Sequence, residues 1–222
     1  MLIDTHCHLT DRRLAGRLEE VIQRARQAGV EAIVSATSDL PDSVAAARLA
    51  SADRPHPCPS PKGRGIPEVY CTAGVHPHRA SRYAARVPAV CDDVRVQIAT
   101  DPAVRAIGEV GLDYHYDLAP RHLQLEVFAA QVDLSREYGL PLVVHTREAD
   151  DETIDVLRQT GGGAVCGVFH CFSGDVTLAR RALDLGFHVS FSGIVTFPKA
   201  LAIREAAAFV PDDRLLVETD SP

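Results

Sequence analysis

The 222-residue sequence lacks several features that would assign it to a particular class of protein. It has no apolar run long enough to cross a bilayer and no basic N-terminal segment before an apolar stretch, so we expect a cytoplasmic protein without a membrane partner. Its six cysteines form neither a CxxC pair nor a compact framework, which favours reduced thiols over a disulfide scaffold. Lysine is nearly absent, because all 23 basic residues except Lys62 and Lys199 are arginine.

The chain also lacks an excess of positive charge. Its net charge of −7 argues against a protein that grips nucleic acid through a broad basic surface. A negative net charge is compatible with an enzyme that binds phosphates in a small pocket, where bound metal ions supply the positive charge.

Short β-branched runs alternate with amphipathic helical patterns along the chain. This alternation predicts a parallel sheet, and eight strands favour an α/β fold of the (βα)8 TIM-barrel type over a doubly wound open sheet. The predicted strands are "LID" before His6 and residues 31–37, 68–75, 104–110, 140–146, 166–172, 187–193 and 215–220. The predicted helices are residues 11–29, 120–139, 148–159, 175–185 and 198–209.

We predict a single domain over residues 1–222, interrupted by one Pro/Gly-rich segment at 54–65. That segment is expected to be a surface insertion before strand 3, on the side of the barrel away from the site. No helical pattern follows strand 8, so we expect a barrel lacking the final helix. The apolar faces of strands 8 and 1 would then favour low stability or oligomerisation through this face.

Metal-ligating side chains recur at the predicted carboxyl ends of the strands, where barrels of this type place their active sites. In "DTHCH", His6 and His8 point to the same face of a strand, and neutral imidazole is a common metal ligand. A buried carboxylate such as Glu109 is costly unless it is paired or metal-bound. The full set is His6, His8, His76, His78, Glu109, His145, His170, Glu218 and Asp220.

Side chains at six strand ends offer more potential ligands than one tetrahedral zinc ion can use. They suit two divalent ions that share a carboxylate, with Glu109 as the natural bridge. Histidine and carboxylate ligands are compatible with magnesium, manganese or zinc.

Seven segments of the sequence, taken in order along the chain, closely resemble the TatD family of metal-dependent hydrolases. They are "IDTHCHL", "TAGVHPH", "AIGEVGLDYH", "LPLVVHTREA", "GVFHCFSGD", "VSFSGIVTF" and "LLVETDSP". The resemblance implies that one ion binds His6, His8 and Asp220, that a second binds His145 and His170, and that Glu109 bridges them. It places His76 near the scissile phosphate and implies metal-dependent DNase activity, often 3′ to 5′ trimming. Many related barrels use a modified lysine as the bridge, but Lys62 and Lys199 are not at suitable strand ends. A carboxylate bridge moves the prediction away from the branch that hydrolyses amides and rings.

We therefore predict a phosphodiester hydrolase, a TatD-type deoxyribonuclease that uses a two-metal-activated hydroxide, with DNA or another phosphodiester as its substrate. The predicted catalytic residues are Asp220, Glu109 and His76, with His76 and Arg147 contacting substrate phosphate. Two alternatives stay open at this point: an amide or lactone hydrolase on the same barrel, and a catalytically silent barrel that acts as a binding partner. Cys7 and Cys171 are expected to pack away from the site, and Asp113 is explained equally well as a loop residue.

Overall fold

The computed structural model describes residues 2–52 and 67–222. The predicted insertion at 54–65, which contains Lys62, lies outside the described residues. Of the helices in the described ranges, none has the length and apolar character needed to cross a membrane.

Eight parallel strands form one sheet in which every strand is hydrogen-bonded to its neighbours in chain order, which confirms the predicted barrel. Seven α-helices alternate with the strands in the described residues. The strands are β1 Leu2–Cys7, β2 Val30–Ser35, β3 Glu68–Ala73, β4 Val104–Asp113, β5 Leu142–Arg147, β6 Gly167–Phe169, β7 His188–Phe191 and β8 Leu215–Val217. The helices are α1 Leu18–Gln27, α2 Leu40–Ala52, α3 Val87–Thr100, α4 Arg121–Tyr138, α5 Asp150–Gly161, α6 Val176–Asp184 and α7 Leu201–Phe209.

The barrel closes between β1 and the segment that follows β8. The backbone N–H of Asp220 donates to the carbonyl of His6 at 2.9 Å, and that of His8 donates to the carbonyl of Ser221 at 2.7 Å. The Asp4 carboxylate accepts from the Thr219 hydroxyl at 2.7 Å and from the Thr219 backbone N–H at 3.0 Å. These bonds fix residues 219–221 against the carboxyl end of β1. Within the described chain, no helix follows β8.

The helices form where apolar side chains can cover the outside of the sheet. The predicted first helix is divided by Gly16, whose φ of +77° is a conformation that glycine adopts readily, so α1 begins only at Leu18. The predicted helix at 120–139 appears as α4 and ends at Gly139 in the left-handed conformation. Helices α2 and α3 were not predicted individually. The buried face of α2 consists of the small side chains Ser43, Ala46, Ala47 and Ala50, which produce only a weak hydrophobic stripe.

Strand β4 is the most deeply buried strand and carries Glu109 in its second half. All of its residues except Arg105 are buried, because both its barrel face and its helix face are covered. Gly111 lets β4 lie close to β5: its φ is +136°, and a Cβ atom at this position would overlap the carbonyl oxygen of His145. The close approach of the two backbones brings the predicted ligands Glu109 and His145 to the same part of the barrel.

Candidate metal centre

Side chains from β1, β4 and the segment after β8 converge on one small space. His6 Nε2 lies 3.3 Å from His8 Nε2, 3.5 Å from Glu109 Oε2 and 3.7 Å from Asp220 Oδ1. His8 Nε2 lies 3.5 Å from Asp220 Oδ1 and 3.8 Å from Glu109 Oε2. Two imidazole nitrogens and two carboxylate oxygens therefore surround one point at separations typical of ligands that share an ion. We call these four groups the first cluster.

The other oxygen of Glu109 lies close to three more imidazoles. We call His76, His145 and His170 the second cluster. Glu109 Oε1 lies 2.8 Å from His170 Nε2, 3.1 Å from His145 Nδ1 and 3.1 Å from His76 Nε2. The two clusters adjoin, because the His6 and His170 rings stack in parallel with centroids 3.8 Å apart. Glu109 thus has one carboxylate oxygen in each cluster, and its side chain is buried.

Asp113 is buried behind the second cluster and orients His145. Its Oδ2 accepts hydrogen bonds from His145 Nε2 at 3.0 Å and from His78 Nε2 at 2.9 Å, and its Oδ1 accepts from the Tyr116 backbone N–H at 2.8 Å. With its Nε2–H engaged, neutral His145 presents the lone pair of Nδ1 toward Glu109. Sequence reasoning missed this contact. Its one signal was the position of Asp113 four residues after Glu109 on a long buried strand.

His76 differs from the other imidazoles of the second cluster in its hydrogen bonding. Its Nδ1 accepts from the backbone N–H of His78 at 3.1 Å, so neutral His76 carries its hydrogen on Nε2. Burial lowers the pKa of His76 to about 4, outweighing the opposite effect of Glu109, so the ring is neutral at neutral pH. His76 therefore presents an N–H donor to the site, whereas His145 presents a lone pair.

The electrostatics of the centre are dominated by charge pairing in a buried space. Burial alone would raise the pKa of Glu109, but the charge of His170 and the hydrogen bond from His170 hold it well below its usual value. Burial would lower the pKa of His170, yet Glu109 raises it well above its usual value. The pKa of Asp220 falls to about 2, because contacts with His8 and the charges of His170 and His6 outweigh burial. Both carboxylates are ionised at neutral pH.

This donor set fits divalent cations. Three groups of side chains bring their ligand atoms within 4.8 Å of one another: His6, Glu109 and His170; His6, His8 and Asp220; and His76, Glu109 and His145. Buried carboxylates of this kind are stable when they are paired or bind a metal. All six predicted ligands lie in the two clusters, and the roles assigned to them stay predictions.

Glu218, the remaining strand-end carboxylate, lies behind His170 and outside both clusters. Its Oε1 accepts a hydrogen bond from the Cys171 backbone N–H at 2.5 Å and lies 3.6 Å from His170 Nδ1. Neither Glu218 Oε2 nor His170 Nδ1 has a hydrogen-bond partner among the described residues. Glu218 is thus placed to support His170 from behind.

The two clusters lie at the base of an open cavity of about 550 Å³, and polar side chains surround its mouth. Arg147, predicted to contact phosphate, lines this cavity, as do Arg79 and Ser38. Cys7 is buried in the core, as predicted, but the prediction for Cys171 was wrong, because Cys171 also lines the cavity. Strand β6 ends at Phe169 and Cys171 has a φ of +41°, so the alternation expected for a strand does not reach it.

Comparison with known proteins identifies relatives that are named as metal-dependent hydrolases. Residues 3–222 match the family model described as "TatD related DNase". The chain is 36% identical over its whole length to the "Uncharacterized metal-dependent hydrolase YabD" of Bacillus subtilis, of which it covers 80%. It is 33% identical to the "3'-5' ssDNA/RNA exonuclease TatD" of Klebsiella pneumoniae, with all of this chain and 78% of the relative covered. Among solved structures, that of YjjV, a TatD homologue from Escherichia coli, superimposes with a TM-score of 0.83 at 27% identity, over 99% of this chain and 78% of the other.

Proposed function

The chain belongs to the TatD-related family of metal-dependent hydrolases, and on that premise we propose that it hydrolyses phosphodiester bonds in DNA as a two-metal 3′–5′ exonuclease. The observation that carries the proposal is the position of Glu109, whose two oxygens face two separate groups of imidazoles. One carboxylate can thus hold two adjacent ions, the arrangement that suits in-line displacement at phosphorus. The exonuclease name of one relative supports the substrate and the polarity.

Each cluster supplies a distinct set of ligands in this proposal. His6, His8 and Asp220 hold one ion, His145 and His170 hold the other, and Glu109 bridges them. When bound, the ions lower the pKa of a coordinated water and offset the charge that develops on the phosphoryl oxygens.

The remaining polar groups handle substrate and protons. The side chain of Asp220 is 32% exposed toward the cavity and ionised, so it can orient a water molecule and accept its proton. The neutral His76 ring offers its Nε2–H to a phosphoryl oxygen without needing to be protonated. Arg147, at the mouth, has a guanidinium whose forked N–H groups match a phosphate.

Hydrolysis of a single-stranded oligonucleotide across a panel of divalent ions tests this function. A 5′-fluorescein 12-mer incubated with Mg²⁺, Mn²⁺, Zn²⁺ or Ca²⁺ should shorten stepwise from its 3′ end, and a chelator should stop the reaction. Asp220→Asn should abolish turnover while the surface variant Asp151→Asn, at a carboxylate whose side chain is 82% exposed, should match the wild type.

Parallel assays with an amide, a lactone and an RNA oligonucleotide separate the alternatives. Turnover of the amide or lactone without cleavage of either oligonucleotide would replace the proposal with the rival hydrolase. A protein that carries a full pair of ions and turns over none of these substrates would be a binding module instead.

A further inference from the structure

The loop after β4 places an exposed aromatic side chain beside the mouth of the cavity. Tyr116 is 54% exposed, and its ring centroid lies 5.6 Å from that of His78, which lines the cavity. Leu118, in the same loop, also lines the cavity and is 63% exposed. An apolar and aromatic surface at the entrance to a polar catalytic cavity is typical of a ligand-binding surface.

Tyr116 is held at a fixed position relative to the metal centre. Its backbone N–H donates to Asp113 Oδ1 at 2.8 Å, and the same carboxylate binds His145 through its other oxygen. The His78 and His115 rings approach Tyr116 nearly perpendicularly, at 87° and 86°. The ring is therefore ordered by its neighbours while more than half of the residue stays open to a ligand.

Arg147 lies over the Tyr116 ring, with Cζ 5.2 Å from the ring centroid. In the part of the chain that the structure describes, no carboxylate forms an ion pair with Arg147. A guanidinium held by a cation–π contact keeps its N–H groups available for an anion. The pair thus offers a flat apolar surface and a free cation next to each other.

We propose that Tyr116, backed by Arg147, is the platform on which an unpaired base of the substrate stacks beside the scissile phosphate. The proposal rests on the nuclease function proposed above and assigns the nucleotide-binding surface. A nucleotide presents the complementary pair of groups, a planar base and an anionic phosphate linked by one sugar. Stacking of a base on an aromatic side chain tolerates any sequence, because every base has a π face.

Two other tyrosines in the described residues lie under arginines and show why position and exposure matter. Tyr114 lies 4.2 Å from Arg121 Cζ but is buried, so it has no open surface for a base. Tyr70 lies 5.3 Å from Arg105 Cζ, near the amino ends of β3 and β4 and far from the cavity. Tyr116 alone among these three combines exposure with a position next to the metal centre.

Fluorescence of 2-aminopurine gives a direct test, because stacking on an aromatic ring quenches it. A single-stranded 10-mer with nuclease-resistant phosphorothioate linkages, carrying 2-aminopurine at each position in turn, is titrated with the metal-loaded protein, so that binding is measured without turnover. We expect quenching confined to one or two adjacent positions with the wild type and with Tyr116→Trp. That quenching should disappear with Tyr116→Leu, which keeps apolar volume but removes the ring.

Kinetics supply the second readout. Tyr116→Ala should raise KM for the oligonucleotide by about 5- to 150-fold, the range for loss of one base–aromatic stack, with a smaller change in kcat. An oligonucleotide with an abasic site at the stacked position should bind wild type and Tyr116→Ala equally. Tyr70→Ala is the matched control and should leave KM unchanged.

The outcomes separate this proposal from the function on which it rests. Unchanged KM and unchanged quenching in Tyr116→Ala, with oligonucleotide cleavage intact, would overturn the stacking platform alone. Failure of the wild type to cleave any oligonucleotide in any of the four ions would overturn the nuclease function first. Loss of folding in Tyr116→Ala is detected by its melting temperature, and Tyr116→Leu, which keeps apolar volume but removes the ring, then carries the test.

Discussion

Replacing Asp113 with asparagine removes a charge from behind the second cluster while nearly keeping the shape of the side chain. Asp113 Oδ2 accepts from two imidazoles and Oδ1 accepts from the Tyr116 backbone N–H. An amide has one acceptor oxygen and one donor NH2 group, so it can satisfy the imidazoles or the backbone N–H but not both. In either orientation, the NH2 group of the asparagine faces another N–H donor in a buried space.

The expected cost follows from these contacts. If the NH2 group faces His145, the ring is driven to the tautomer with hydrogen on Nδ1, which can no longer bind a metal ion. If it faces Tyr116, a buried N–H is left without an acceptor, which costs about 1–3 kcal/mol of unfolding free energy. Loss of a partner behind a ligand histidine weakens metal binding by about 10- to 100-fold, equivalent to about 1.4–2.7 kcal/mol.

Metal titration against a chelating dye, with ion content measured by mass spectrometry, checks the prediction. One of the two ions should be weakened in Asp113→Asn, while the ion held by His6, His8 and Asp220 should bind as in the wild type. Asp151→Asn serves as the surface control. If Asp113→Asn binds each of the two ions as tightly as the wild type does, the positioning role of Asp113 is refuted.

Three further predictions concern the same centre. Glu109→Gln should reduce the occupancy of both ions and His145→Ala chiefly that of one, so a glutamine variant with a full pair of ions would contradict the bridge. Metal affinity and activity should fall as the pH drops from about 7 to about 5, because an imidazole must lose its proton to bind a metal and the pKa values of His145 and His170 are raised. A dye-competition titration at each pH measures this, and a flat profile would argue against histidine ligands. Asp4→Ala should release Thr219 and weaken the ion bound to the first cluster but not the second, an effect that ion analysis can resolve.

Strand periodicity and strand ends were enough to predict the barrel and to select the side chains that meet at its carboxyl end. This worked because all parallel strands of a closed sheet end on the same side, so residues far apart in sequence, such as His6 and His170, must converge. The roles of those residues as ligands stay predictions.

Other features depend on contacts that no pattern along the chain reveals. The bond from Asp113 to His145 joins β4 to β5, and the tautomer of His76 depends on a backbone N–H two residues away. Cys171 was misplaced because β6 is only three residues long, so strand alternation stops before it. Helix α2 was not predicted individually, because alanine buries too little surface to produce a clear hydrophobic stripe.

Because hydrogen bonds join β1 to the segment after β8, the parts of the centre come together at different times. Asp4 and Thr219, which hold Asp220 against β1, are 215 positions apart in sequence. During synthesis on the ribosome, His6 and His8 emerge before the other ligands but gain their second carboxylate partner, Asp220, only once residue 220 has been made. Glu109, His145 and His170 are all present about fifty residues sooner, so the nascent chain offers one set of ligands well before the other. If catalysis needs both sets, as proposed, it cannot begin on a partly translated chain.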